Sequence, residues 1–184
     1  MSKSLKNFKT IRELIKSGIS PMTLRYFVLT VNYRKPLDFT EESLKCAAEA
    51  WKNINIALSL VDISKGSEIS FNLNEQNELI EEKYKNTVCN EISQKKQKFA
   101  DSLSNDLNTA GAIAIIYELA KPLKNFINQF QRLNNIEINS NEKFFLLENF
   151  KTLKELTEVL GLKKEDVLIE SKIEEEEILS LINE

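Results

Sequence analysis

The residues best suited to chemistry in this 184-residue chain stand at its front, Met1-Ser2-Lys3-Ser4. A short loop of hydroxyls and an ammonium ahead of a helix can hold phosphate oxygens. Serines donate hydrogen bonds, and a mobile lysine supplies charge where negative charge builds on a leaving pyrophosphate. The plain alternative for so short a string is a solvated N-terminus. The surrounding charge favours an anionic partner. Residues 1–35 carry Lys3, Lys6, Lys9, Arg12, Lys16, Arg25, Arg34 and Lys35 against Glu13 alone, a net of +7 inside a chain whose total is −3. The last twenty residues sum to −7, so a polyanion could dock at the front while the tail would repel it.

Other chemistry is excluded or unsupported. The chain has no histidine, which removes Ser-His-Asp and Cys-His catalysis and any zinc site needing imidazole. No residue set reads as a metal site. Cys46 and Cys89 are too far apart for a CxxC pair. They read as small apolar core residues in a reducing compartment, with a disulfide as the alternative. No signal peptide or apolar run of eighteen residues occurs, so a cytoplasmic protein is expected.

The elements that must position the front are helical. Only four Gly and three Pro are present, and strict apolar–polar alternation is scarce. Thr40 can cap a helix with Glu41 and Glu42 in its first turn and a stripe of Leu44, Ala47, Ala48, Trp51, Ile54, Leu58 and Val61. A second is expected over about 76–101, with Ile80, Tyr84, Val88 and Ile92 four apart. A third starts near Asn108-Thr109 and buries Ile113, Ile116, Leu119, Leu123, Phe126 and Phe130, with a kink expected near Glu118 because Pro122 removes a donor. A fourth covers about 142–160, with Leu146, Phe150, Leu153 and Leu160 on one face and Gly161 ending it. Two shorter helices lead in: one over about 10–17, stopped by Gly18, and one opened by Ser20-Pro21 with Leu24, Phe27, Val28 and Val31 apolar. Residues 64–74 and 134–141 read as loops. The fold class is all-α: an antiparallel helical bundle with a short basic helical lead-in.

Three blocks in order carry a family resemblance. MSKSLKNFKTIREL, residues 1–14, resembles the signature loop of class I aminoacyl-tRNA synthetases. LRYFVLTVNYRKPLDFTEESL, residues 24–44, and NDLNTAGAIAIIYELAKPL, residues 105–123, are similar to the cysteinyl-tRNA synthetases in particular. The resemblance implies that Lys3 is the catalytic lysine that binds ATP and steadies the activation transition state, with Ser2 and Ser4 beside it. It implies that residues 1–39 are the signature loop and a stem-contact helical segment, 40–170 a DALR-type anticodon-binding bundle, and 171–184 the acidic start of a further helix. The parent reaction would couple cysteine to tRNA(Cys) with ATP through a cysteinyl-adenylate. ATP, Mg and a zinc would depend on a catalytic domain outside these residues, leaving no cofactor bound by this chain alone. Such a piece is expected to be a monomer and not catalytic by itself. Leu14, Ile15, Phe27 and Leu29 would pack on that domain, and here would lie exposed or drive self-association. Departures from the family pattern are Lys6 where glycine is usual and Asn32 where histidine is common.

The tRNA-binding candidates are Arg12, Arg25, Arg34 and Lys35. Arg34 and Lys35 lie in a turn before Pro36, where phosphate contact is natural. Arg25 has a second reading, an ion pair with Asp38 or Glu41, because charges among apolar neighbours are usually paired. Lys95, Lys96 and Lys98 read as a solvated face, Trp51 as core, and Glu174–Glu177 as a solvated first helical turn. Two rival functions remain open. One is a freestanding helical bundle that binds a protein partner. The other is the related ligase that joins cysteine to an amino sugar.

Overall fold

A computed structural model describes residues 10–63, 80–133 and 138–165. Two segments before the main bundle show how local chemistry sets the ends. α1 (Ile11–Lys16) opens with a reciprocal capping box. The Thr10 hydroxyl accepts from the Glu13 N–H at 3.2 Å, and the Glu13 carboxylate accepts from the Thr10 N–H at 2.7 Å. Those bonds, the backbone one first, hold the Glu13 carboxyl below its ordinary range. Gly18, at φ +91°, lets the chain turn out of α1. α2 (Pro21–Leu29) has proline at its first position, and its cap Ser20 accepts from the N–H groups of Met22 and Thr23.

The bundle consists of α3 (Glu41–Leu58), a one-turn α4 (Leu60–Ile63), α5 (Glu82–Ser104), α6 (Thr109–Leu133) and α7 (Ser140–Val159). Among the described residues there is no strand. α6 packs against α2, α3, α4, α5 and α7, which makes it the central helix. Its sequence accounts for that: Ala112, Ile113, Ile115, Ile116, Leu119, Ala120, Leu123, Phe126 and Ile127 are all buried, a stripe too wide for a surface helix. The helix is unbroken through Pro122. α5 and α6 pack together across the short turn 105–108, so they run antiparallel. α3 buries Leu44, Ala47, Trp51, Ile54 and Leu58 as its spacing requires.

α7 ends in a Schellman motif around Gly161, whose φ is +66°. The Gly161 N–H donates to the Glu158 carbonyl and the Leu162 N–H to that of Thr157, both at 2.9 Å. Leu162 is buried beyond the turn.

Several expectations are corrected. Cys46 and Cys89 are free and exposed, not core. Cys46 stands two residues past Leu44, on the far side of the α3 stripe, and Cys89 falls one residue off the buried Val88. Val28 is exposed, and α2 instead buries Thr23, Tyr26 and Phe27. Burial first, and the neighbouring Tyr117 second, push the Tyr26 phenol upward. Leu14 and Phe27 are buried and Leu29 half-buried, leaving Ile15 as the exposed member of that set. α5 starts at Glu82 with Ile80 buried ahead of it, and α7 starts two residues earlier than its sequence pattern suggested, because Asn139 and Glu142 form a capping box. The loop at 64–74, residues 134–137, the Ser2, Lys3 and Ser4 string, Glu174–Glu177 and the segment 171–184 lie outside the described residues.

Candidate nucleic-acid interface

α2 is pinned to the bundle at both ends, and the candidate residues divide between them. At its C-terminal end the chain turns at Asn32. The Asn32 side-chain oxygen accepts from the Arg34 N–H at 2.9 Å, and the Asn32 carbonyl accepts from the Lys35 N–H at 2.9 Å. Opposite stands the α5–α6 turn, where Asp106 and Leu107 both have positive φ, 53° and 50°. Few side chains enter that left-handed region, and aspartate and asparagine are the usual ones. Backbone bonds fix the turn. The Leu107 N–H donates to the Leu103 carbonyl, and that of Asn108 to the Ser102 carbonyl. Asn108 caps α6 through the Gly111 N–H at 3.0 Å. A Cβ on Gly111 would stand 2.8 Å from Asn108 Nδ2, so a larger residue there would push on the capping side chain.

The two turns meet in a clasp. One Asp106 oxygen, Oδ1, accepts the Tyr33 hydroxyl at 2.8 Å and Arg34 Nη2 at 2.8 Å, while Arg34 Nε donates to the Tyr33 hydroxyl oxygen at 2.9 Å. The guanidinium also lies 5.3 Å from the Tyr33 ring centroid, within cation–π range. Arg34, and then the Tyr33 hydroxyl, hold the Asp106 carboxyl below its usual range. The carboxylate in turn raises the Tyr33 phenol, with Arg34 opposing it. Nearby, Thr109 Oγ1 donates to the Leu29 carbonyl at 2.7 Å, tying the end of α2 to the start of α6. An open polar cleft of about 530 Å³ lies between the turns, lined by Asn32, Lys35, Asn105, Asp106 and Asn108 among others.

At the N-terminal end of α2, Glu165 closes a second set of contacts. Its carboxylate accepts the Ser20 hydroxyl at 2.7 and 2.8 Å and Trp51 Nε1 at 2.8 Å. Its backbone N–H donates to Asn55 Oδ1 at 3.0 Å, and Asn55 Nδ2 donates to the Glu165 carbonyl at 3.1 Å. A carboxylate at a helix start also suits the dipole of α2. Beside it, Arg25 Nε donates to the Leu160 carbonyl at 2.7 Å.

The sequence-based candidates are therefore only partly brought together. Arg34 and Lys35 share the clasp and cleft. Arg12 is exposed on α1. Arg25, expected to pair with Asp38 or Glu41, donates to the Leu160 carbonyl at the end of α7, where a helix carries partial negative charge. Lys96 pairs with Glu155 of α7, in keeping with a solvated face for that basic run. Trp51 is core as expected, yet its indole N–H finds a carboxylate. Glu165 and Asp106 were missed. Glu165 is lost in an acidic tail, and only the Asn-Asp-Leu-Asn string hinted at a left-handed turn near 106.

Among the described residues no group of three or more Cys, Asp or Glu is placed to hold a metal ion. No described helix is long and apolar enough to cross a membrane.

Comparison with known proteins finds two matching domain models and several similar chains. The model of the class I (C) tRNA synthetase catalytic domain matches residues 1–49, and that of the DALR domain matches residues 98–164. A cysteine–tRNA ligase of Prochlorococcus marinus strain AS9601 is 74% identical over 184 residues, covering 100% of this chain and 37% of the relative. One from Prochlorococcus marinus subsp. pastoris is 72% identical over 183 residues with the same coverage, and one from strain MIT 9303 is 43% identical over 171 residues, 90% of this chain and 33% of the relative. The chain thus spans little more than a third of the relatives' length. Along its whole length the chain is similar to a segment of cysteine–tRNA ligases, and its residues 1–49 and 98–164 are similar to the two domain models.

Proposed function

We propose that this chain is the tRNA-binding portion of an enzyme that joins cysteine to tRNA(Cys) with ATP through a cysteinyl-adenylate. The observation that carries the reading is the high identity to cysteine–tRNA ligases across all 184 residues. The basic front supports it, since backbone contacts need that sign of charge. Within the proposal, Lys3 with Ser2 and Ser4 meets the phosphates of ATP. Arg12, Arg34 and Lys35 meet tRNA phosphates. Arg25, whose Nε is committed to Leu160, serves first to hold the end of α7. The zinc and Mg of the reaction are assigned to parts of the relatives' length not matched by these residues. A soluble cytoplasmic monomer is the state this role calls for. The freestanding interaction module and the amino-sugar ligase are set aside, because the relatives above carry the tRNA ligase name.

The test is retention of transfer RNA on filters over a salt series. Binding that weakens steeply with salt, and more weakly still for Lys35→Ala, is expected. Equal retention at low and high salt would sink the reading. The 184 residues alone should give no cysteine-dependent ATP–pyrophosphate exchange, because one loop lysine cannot orient both reactants and positioning supplies much of such a rate enhancement.

A further inference from the structure

Arg34 is a natural phosphate ligand by sequence, but in the fold its charge is already answered by Asp106 at 2.8 Å. Lys35, one residue on, is exposed at the cleft with no carboxylate on its ammonium among the described residues. We infer that Asp106 is a specificity-determining residue of this surface: it keeps Arg34 neutralised until the phosphate of an RNA backbone takes its place, so that Lys35 is the resting anchor and Arg34 the conditional one. This rests on the tRNA-binding reading above.

The geometry separates a fixed part from a movable one. Asp106 is held by its turn, through Leu107 and Asn108 backbone bonds and the Thr109 tie to α2, and does not depend on Arg34 for its position. The Arg34 backbone is likewise fixed by Asn32. Between these anchors the Arg34 side chain bridges Asp106 and the exposed Tyr33 hydroxyl, and the ion pair is exposed, at 66% for Arg34 and 48% for Asp106. Exposed pairs of this kind are weak and screened by salt, which makes them exchangeable. A single small anion gains little by the exchange, since it replaces one carboxylate with another unit charge. A polymer does gain, because each phosphate neutralised on it releases condensed counterions. The carboxylate therefore discriminates between polyanion and stray anion. Among the described residues, Asp106 Oδ2 and Arg34 Nη1 make no hydrogen bond, so an incoming phosphate can engage the guanidinium before the first bond breaks.

The experiment compares the full 184-residue chain with Asp106→Asn, Arg34→Ala and the double variant. Asparagine tolerates the left-handed turn, so the fold is kept. Mixed transfer RNA is titrated over a salt series. Sodium tripolyphosphate serves as a polyanion free of bases and is followed by the Arg34 side-chain NMR signal. Asp106→Asn should bind RNA roughly two- to fivefold tighter at low salt, with a steeper log–log salt slope, because salt screens the competing carboxylate only in the parent chain. The double variant should fall back to Arg34→Ala. An unchanged slope in Asp106→Asn, or a gain that survives in the double variant, overturns the inference while leaving salt-dependent RNA binding intact. If no variant retains RNA, the tRNA reading fails, and tripolyphosphate decides. A gain on Asp106→Asn that Arg34→Ala removes upholds the gate, and no gain overturns it.

Discussion

Two polar junctions hold α2 to the bundle, and they are built differently. At the Ser20 end, the Glu165 carboxylate takes a hydroxyl and an indole N–H in a half-buried setting, and the Asn55 amide takes the Glu165 backbone in both directions. At the Arg34 end, two bonds converge on one Asp106 oxygen in the open. Water competes poorly at the first junction and freely at the second. Hydrogen bonds of the same length thus have different uses: the sheltered set fixes the fold, and the exposed set can be traded for another ligand.

The largest effect should come from breaking the sheltered junction at its centre. Trp51 is 3% exposed and pairs with Tyr26 at 6.3 Å between ring centroids. Trp51→Ala should cost about 3–5 kcal/mol in urea unfolding, through a cavity and a lost donor. Glu165→Ala leaves the indole N–H without its acceptor and frees the Ser20 hydroxyl. A loss of about 1.5–3 kcal/mol is expected, as for bonds to a charged group. If Glu165→Ala unfolds like the parent chain, the contrast between the two ends is lost.

A somewhat smaller loss should follow at Gly161. An alanine there must hold φ near +66°, and its Cβ would clash with Arg25 Nη2. The left-handed backbone alone costs about 1–2 kcal/mol, and the guanidinium must also leave the Leu160 carbonyl. Thermal unfolding of Gly161→Ala against Arg25→Ala separates the two contributions. If the carbonyl contact contributes, Arg25→Ala also lowers Tm, by less than Gly161→Ala does.

Much of this architecture was legible because its signals are local. Thr40, Ser20-Pro21, Gly18 and Gly161 each act on the residues beside them, so cap chemistry placed those helix ends. The α6 stripe marked a long helix with a buried apolar face. What stayed hidden depends on residues brought together from afar. Glu165 meets Ser20 across 145 positions, and Asp106 meets Arg34 across 72. Nothing next to either acid marks it as a partner. Cys46 was misread for another reason: residue type was weighed above helical phase, and phase puts it outside. Arg25 was read among charges, yet its partner is a carbonyl, which no sequence pattern advertises.

The smallest effect belongs to the exposed clasp, and acid is the gentlest way to open it. The Asp106 carboxyl titrates below its usual range because Arg34, and then the Tyr33 hydroxyl, favour its charged form. A group depressed in the folded state adds stability that is fully present above its unfolded value and is lost as pH falls through the folded one. Between neutral pH and the ordinary carboxylate range, therefore, the clasp should stay closed. Below that range, protonation should release Arg34 and leave Tyr33 with a weaker acceptor. The Tyr33 ring and Arg34 Nε NMR signals should then move together, while the Trp51 indole N–H, reporting the other junction, follows a separate curve. Asp106→Asn should abolish the Arg34 transition with almost no change in Tm, since so exposed a pair contributes little to the fold. A transition of Arg34 that persists in Asp106→Asn would mean that another acid governs it. One shared by the Trp51 indole would mean that the two ends of α2 open as a unit, and the division between a fixed and an exchangeable junction would fall.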